Sequence, residues 1–133
     1  MHVLILDDEA AIGRVISRLA RVAGFSAQAV TKPGEFQSQY RLSPPNVVLL
    51  DLQLGGDDGQ AQLRFLADQG YPHAVILMSG YDQRVLSSAE RMGRDLGLDI
   101  LGTIGKPFRA EDVSEMFDRL AGRFAPSPED ASR

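Results

Sequence analysis

Apolar residues fall along the chain in two alternating rhythms. Short unbroken runs occur at Val3–Leu6, Val47–Leu50, Ala74–Met78 and Ile100–Ile104, with a weaker one at Ala27–Val30. Each is too short for a helix and is bounded by Asp, Gly, Ser or Pro, which predicts strands. Runs without polar alternation predict strands buried on both faces, as parallel sheets require. Between the runs the spacing becomes helical. Ile12, Val15, Ile16, Leu19 and Ala23 recur at helical intervals, as do Val85, Ala89, Met92 and Leu96. Val113, Met116, Phe117, Leu120 and Phe124 form the most regular stripe. Two weaker helices are expected over Gly34–Leu42, entered through Pro33, and over Gly59–Gln69, because parallel strands need helical crossovers.

The sum is an α/β chain of (βα)5 type, a doubly wound three-layer sandwich around a five-stranded parallel sheet. From Ala125 onward the apolar pattern stops, so 125–133 is expected to be a disordered tail or the start of a linker. One domain is expected over residues 1–124.

Composition narrows the function classes. The 133 residues suit a single core. Lys and Arg number 14 against 18 Asp and Glu, a net charge of −4 that argues against nucleic acid as the main partner. The absence of cysteine excludes disulfides, thiolate nucleophiles and Cys-ligated metals. The two histidines, His2 and His73, are too few for a His-rich metal site. No run approaches the roughly 20 apolar residues of a bilayer span. Nor does the start resemble a signal peptide, because Val3–Leu6 meets Asp7, Asp8 and Glu9 at once. A cytoplasmic domain without membrane contact is expected.

In open α/β sheets, ligands bind beyond the carboxyl ends of the strands. The expected ends carry Asp7-Asp8-Glu9, Asp51, Ser79-Gly80 and Gly105-Lys106-Pro107. Clustered carboxylates repel unless a cation shares the site, and an all-oxygen set suits Mg²⁺. A carboxylate beside that ion can attack phosphorus to form an acyl phosphate, with an ammonium balancing the charge and a hydroxyl donating to oxygen. Plainer readings exist for each residue. Asp7 or Asp8 alone reads as the N-cap of the first helix, Ser79 as a turn hydroxyl and Lys106 as a solvated charge. Asp51 is harder to dismiss, because a carboxylate straight after four apolar residues is costly without a partner. Lysine is also scarce, being only Lys32 and Lys106. The four features gain weight by falling at matching strand ends.

Together, Leu4-Ile5-Leu6-Asp7-Asp8-Glu9, Leu49-Leu50-Asp51-Leu52-Gln53-Leu54, Gly59, Leu77-Met78-Ser79-Gly80 and Lys106-Pro107-Phe108 resemble the CheY-like receiver domains of two-component response regulators. The resemblance runs from Val3 to about Phe124. It implies strand order 2-1-3-4-5. It implies Asp51 as phosphoacceptor and Mg²⁺ held by Asp8, Asp7, Asp51 and the main-chain carbonyl of Gln53. Ser79 and Lys106 would hold the phosphoryl group, and Lys106–Pro107 is a candidate cis peptide. The implied partners are a sensor histidine kinase or phosphotransfer protein and an output domain or target; a homodimer is allowed. Phosphorylation would switch the surface of helix 4, strand 5 and helix 5, in a signalling domain rather than an enzyme.

The chain departs from the family pattern in places. Gly55 replaces a frequent proline and opens the loop Gly55-Gly56-Asp57-Asp58-Gly59, where Asp57 and Asp58 read as caps of helix 3 or, alternatively, as charges that perturb the metal site. Thr103 stands where an aromatic switch residue is usual, so the usual relay is missing. Gln53 and Tyr81 occupy positions that influence acyl-phosphate lifetime in the family. Ala89–Lys106, particularly Leu98–Lys106, resembles receivers attached to cyclic-di-GMP phosphodiesterase domains.

Rival readings use other chemistry. A flavodoxin-like protein would need a phosphate-cradling loop after strand 1, and Asp7-Asp8-Glu9 would repel that phosphate. A haloacid-dehalogenase-type phosphatase would need Asp-x-Asp on strand 1. A phosphorylation-independent receiver-like interaction module is supported only by Thr103 and the glycine-rich loop.

Overall fold

The computed structural model of the chain describes residues 1–54, 58–80 and 82–124. In order the elements are β1 (His2–Leu6), α1 (Ala10–Val22), β2 (Ser26–Val30), α2 (Pro33–Leu42) and β3 (Val47–Asp51). There follow α3 (Asp58–Asp68), β4 (Ala74–Ser79), α4 (Gln83–Asp95), β5 (Asp99–Gly105) and α5 (Ala110–Phe124). The strands form one parallel sheet in the order β2-β1-β3-β4-β5. This is the expected doubly wound fold.

The uninterrupted apolar runs have a structural reason. Successive side chains of a strand point to opposite faces, and here both faces are covered. Leu4, Leu6, Val48, Leu50, Val75 and Leu77 pack with Phe36, Tyr40, Leu63, Leu66 and Leu86 of α2, α3 and α4. On the other face, Val3, Ile5, Val47, Leu49 and Ile76 pack with Ile16 and Ala20 of α1 and Val113, Phe117 and Leu120 of α5. The edge strands β2 and β5 are only half covered, which is why β2 reads weakly in the sequence.

Several details differ from the sequence expectation. Val15 and Val85 are each 44% exposed and Leu96 is 41% exposed, although the helical spacing places all three in apolar stripes. In α4 the buried positions are Leu86, Ala89 and Gly93; Ala89 is as expected and Met92 packs against the core, whereas Leu86 and Gly93 take the places expected of Val85 and Leu96. Gly93 belongs to the buried face because a Cβ there would meet Ile100 Cδ1 at 2.6 Å. Hydrophobic spacing is blind to such a position. In β5 the register to β4 slips, since Val75 pairs with Ile100 but Ile76 with Gly102, leaving Leu101 as a bulge. The first helix is capped by Glu9 without a side-chain hydrogen bond, so neither Asp7 nor Asp8 is its N-cap. The expectations on Asp57, on the Asp58 cap, on Tyr81 and on 125–133 lie outside the described residues and side chains.

Candidate functional site

The carboxyl ends of the strands meet along one edge of the sheet, as parallel pairing requires. Asp51 is the last residue of β3 and Ser79 the last of β4, while Asp7 and Lys106 directly follow β1 and β5. Main-chain bonds hold these ends in step. Asp7 N–H donates to the Val30 carbonyl at 3.1 Å, Leu52 N–H to Met78 at 2.9 Å and Lys106 N–H to Ser79 at 2.8 Å. The Lys106–Pro107 peptide is cis.

Three side chains converge there. Lys106 Nζ donates to Asp7 Oδ2 at 2.7 Å and to Asp51 Oδ2 at 3.1 Å. The other oxygen of each carboxylate accepts a main-chain N–H two residues on, Glu9 to Asp7 Oδ1 and Gln53 to Asp51 Oδ1, both at 2.9 Å. The two aspartates are fully buried and the Lys106 side chain is 11% exposed. Asp8 sits beside them with an exposed side chain, and oxygens of Asp7, Asp8 and Asp51 lie within 4.8 Å of one another.

The charges do not balance, because one ammonium serves two buried carboxylates and Asp8 adds a third negative charge. Burial pushes the Asp51 carboxyl above its ordinary range and the Asp7 charge adds to this; the Gln53 N–H and Lys106 only partly offset both. For Lys106, burial alone would lower the proton affinity, but the hydrogen bonds and charges of Asp7 and Asp51 raise it overall. The ammonium therefore stays charged, and among the described residues Lys106 is the one cationic side chain paired with the two carboxylates. A set of hard oxygen donors without nitrogen or sulfur, short of positive charge, fits Mg²⁺.

The other expected site residues are placed as follows. Ser79 is buried at the same edge, and among the described residues no hydrogen bond ties its hydroxyl to Asp51 or Lys106. The Gln53 side chain is exposed and lies over Gly80, where a Cβ would meet Oε1 at 2.6 Å. Gly80 is thus a neighbour of the site that sequence reasoning passed over as a strand end. Only the absence of a Cβ lets the Gln53 carboxamide cross there. Thr103 is exposed on β5 opposite Leu77, and among the described residues no hydrogen bond joins its side chain to Asp7, Asp51 or Lys106.

Comparison with known proteins agrees with this architecture. The family model described as response regulator receiver domain matches residues 3–118. The chain is 37% identical over 78 residues to the cyclic di-GMP phosphodiesterase RocR of Pseudomonas aeruginosa, covering 59% of this chain and 20% of that protein. It is 31% identical over 127 residues to the positive alginate biosynthesis regulatory protein of the same species, covering 91% of this chain and 47% of the relative. It thus spans about a fifth of the first relative and about half of the second. Among solved structures, a response regulator from Colwellia psychrerythraea superposes with a TM-score of 0.81 at 30% identity, over 92% of this chain and 97% of that one.

Proposed function

The chain belongs to the response regulator receiver domain family, and from that membership we propose that Asp51 accepts a phosphoryl group from a phosphohistidine, with Mg²⁺ as the assisting ion. The donor is a sensor histidine kinase or a phosphotransfer protein. The observation that carries this reading is the shared ammonium: Lys106 joins Asp7 and Asp51 at adjacent strand ends, in a cluster that still lacks positive charge.

In this mechanism an oxygen of Asp51 attacks phosphorus in line. The new O–P bond forms as the N–P bond breaks, and the imidazole leaves with the electron pair. The chain contributes position and electrostatics, since the Gln53 N–H and Lys106 Nζ fix the plane of the Asp51 carboxylate from both ends. Asp8, Asp7, Asp51 and the Gln53 carbonyl are the residues that would hold Mg²⁺. When bound, the ion supplies charge neutralisation to the carboxylates and to the incoming phosphoryl oxygens.

After transfer, Lys106 pairs with the phosphoryl group and the Ser79 hydroxyl donates to one of its oxygens. Lys106 follows β5 and Ser79 ends β4, so their movement biases the surface formed by α4, β5 and α5. With Thr103 exposed on β5, this shift proceeds without an aromatic rotamer change. Hydrolysis of the acyl phosphate resets the domain.

The test is intact-mass measurement after incubation with Mg²⁺ and a small acyl-phosphate donor. One phosphoryl group should add to the wild type, none to Asp51→Asn, and none after Mg²⁺ is chelated. Addition that survives in Asp51→Asn refutes the assignment of the nucleophile. If wild type neither gains mass nor binds a stable phosphoryl mimic with Mg²⁺, the phosphorylation-independent interaction module is the better reading.

A further inference from the structure

Charge is distributed unevenly along the chain. Residues 10–34 hold Arg14, Arg18, Arg21 and Lys32 and no Asp or Glu, in a protein whose net charge is −4. The three arginines project from α1 at intervals of four and three residues, which places them on one side of the helix. They line a groove of about 690 Å³ between α1 and β2, floored by Ala27 and Ala29. Among the described residues none of the three is in an ion pair with a carboxylate.

The groove borders a free strand edge. β2 is the outermost strand and among the described residues pairs only with β1. Ser26 N–H donates to Met1 and Val30 accepts from Asp7, so the even-numbered residues of β2 bond inward. By the alternation of a parallel ladder, the main-chain groups of Ala27 and Ala29 face outward. Arg21 already reaches that edge, its Nη2 donating to the Ala27 carbonyl at 3.1 Å. Close seating of the helix makes this reach possible. Gly13 lies so near β2 that a Cβ would stand 2.9 Å from Ala29 Cβ.

We infer that the α1–β2 groove is a docking site for an extended acidic segment of a partner protein. The segment adds as a strand to the free edge of β2 and sets its carboxylates against Arg14, Arg18 and Arg21. The pitch supports a strand. Arg14 and Arg18 are about 6 Å apart along the helix axis, and carboxylates on alternate residues of a strand are about 6.7 Å apart. The main-chain groups of Ala27 and Ala29 give the strand its hydrogen bonds, and guanidinium–carboxylate pairs give it selectivity. This inference does not depend on phosphorylation at Asp51.

The experiment titrates ¹⁵N-labelled full chain, at low salt, with an end-capped peptide of alternating Glu and Thr. A peptide of the same composition with its Glu residues in one block serves as control. The alternating peptide should bind more tightly, shift the Ala27 and Ala29 amides and slow their hydrogen exchange. The exposed double substitution Arg14→Glu/Arg18→Glu, with its fold checked by circular dichroism, should weaken binding by about tenfold or more. Equal binding by the double variant overturns the proposal, as does no binding of the peptide. Charge-dependent binding that leaves the Ala27 and Ala29 amides unprotected also overturns it, as does a preference for an oligonucleotide of equal charge.

Discussion

Asp7 and Asp51 stand at the ends of neighbouring strands and are held in the same way. Each offers one oxygen to the N–H two residues ahead at 2.9 Å and turns the other to the same Lys106 ammonium. The repeated arrangement orients two buried carboxylates toward one point and leaves them undercharged. The energetic consequences can be measured without any phosphoryl donor.

Removing the ammonium exposes the repulsion directly. Lys106→Ala leaves two buried carboxylates facing each other, and breaking such a pair costs about 3–5 kcal/mol. Without Lys106 the Asp51 carboxyl, already raised by burial and the Asp7 charge, is pushed further above its unfolded value. Stability is then fully present at low pH and lost as pH rises through the folded pKa. Urea unfolding in chelator should show the variant losing stability between acidic and neutral pH, with Mg²⁺ restoring more to it than to wild type. A pH-independent loss would contradict this account.

Asp51→Asn acts in the opposite direction. The Asp51 carboxyl lies above its ordinary range chiefly through burial, so its ionised form costs stability at neutral pH. The amide keeps the shape and removes the charge, while Lys106 keeps Asp7. In chelator the variant should be more stable than wild type near neutral pH, and the difference should vanish as pH falls below the unfolded carboxyl pKa. Its stabilisation by Mg²⁺ should largely disappear. Thermal unfolding with and without Mg²⁺ reads both effects, and a less stable variant would show that the Lys106 pairing outweighs burial.

Gly13 sets the distance between α1 and the sheet. A Cβ at this position would lie 2.9 Å from the Ala29 Cβ, so Gly13→Ala forces the helix outward. The overpacking should cost about 1–3 kcal/mol despite the better helix propensity of alanine. Adding Ala29→Gly should recover most of the loss, and chemical denaturation of the two single variants and the double variant measures that coupling. Simple additivity would mean that the contact relaxes elsewhere.

Tyr71 predicts the alkaline behaviour. Its hydroxyl is buried and donates to the Ala74 carbonyl at 3.1 Å. Burial, with smaller contributions from Tyr40 and Asp99, pushes the phenol well above its ordinary value. The stability it contributes is present below the unfolded pKa of about 10 and lost as pH rises toward the folded one. Tyr71→Phe should cost about 1 kcal/mol at neutral pH. It should also flatten the decline of stability above pH about 10, as denaturation followed from neutral to alkaline pH would show.

Much of the architecture was legible because the signal is local. Val3–Leu6, Val47–Leu50 and Ala74–Met78 carry no polar alternation, which only strands covered on both faces require. Asp51 was conspicuous because a carboxylate ending such a run needs a partner. The phase of α4 is only partly legible: Ala89 lies on the buried face as its spacing predicts, but Gly93, not Val85 or Leu96, completes that face. The bulge at Leu101 left no mark, since Ile100–Ile104 reads as one apolar run whatever its register.

What the sequence determined by itself is the alternation of strands and helices and the chemical kind of residue at each strand end, because both follow from neighbours along the chain. Only the tertiary structure decided which ends meet. Lys106 and Asp7 are 99 residues apart in sequence and 2.7 Å apart in space. Their meeting depends on the order β2-β1-β3-β4-β5 and on the turns that aim each side chain. The close approaches at Gly13, Gly80 and Gly93 depend on the same packing, since a glycine reveals what it admits only when the neighbouring element is in place.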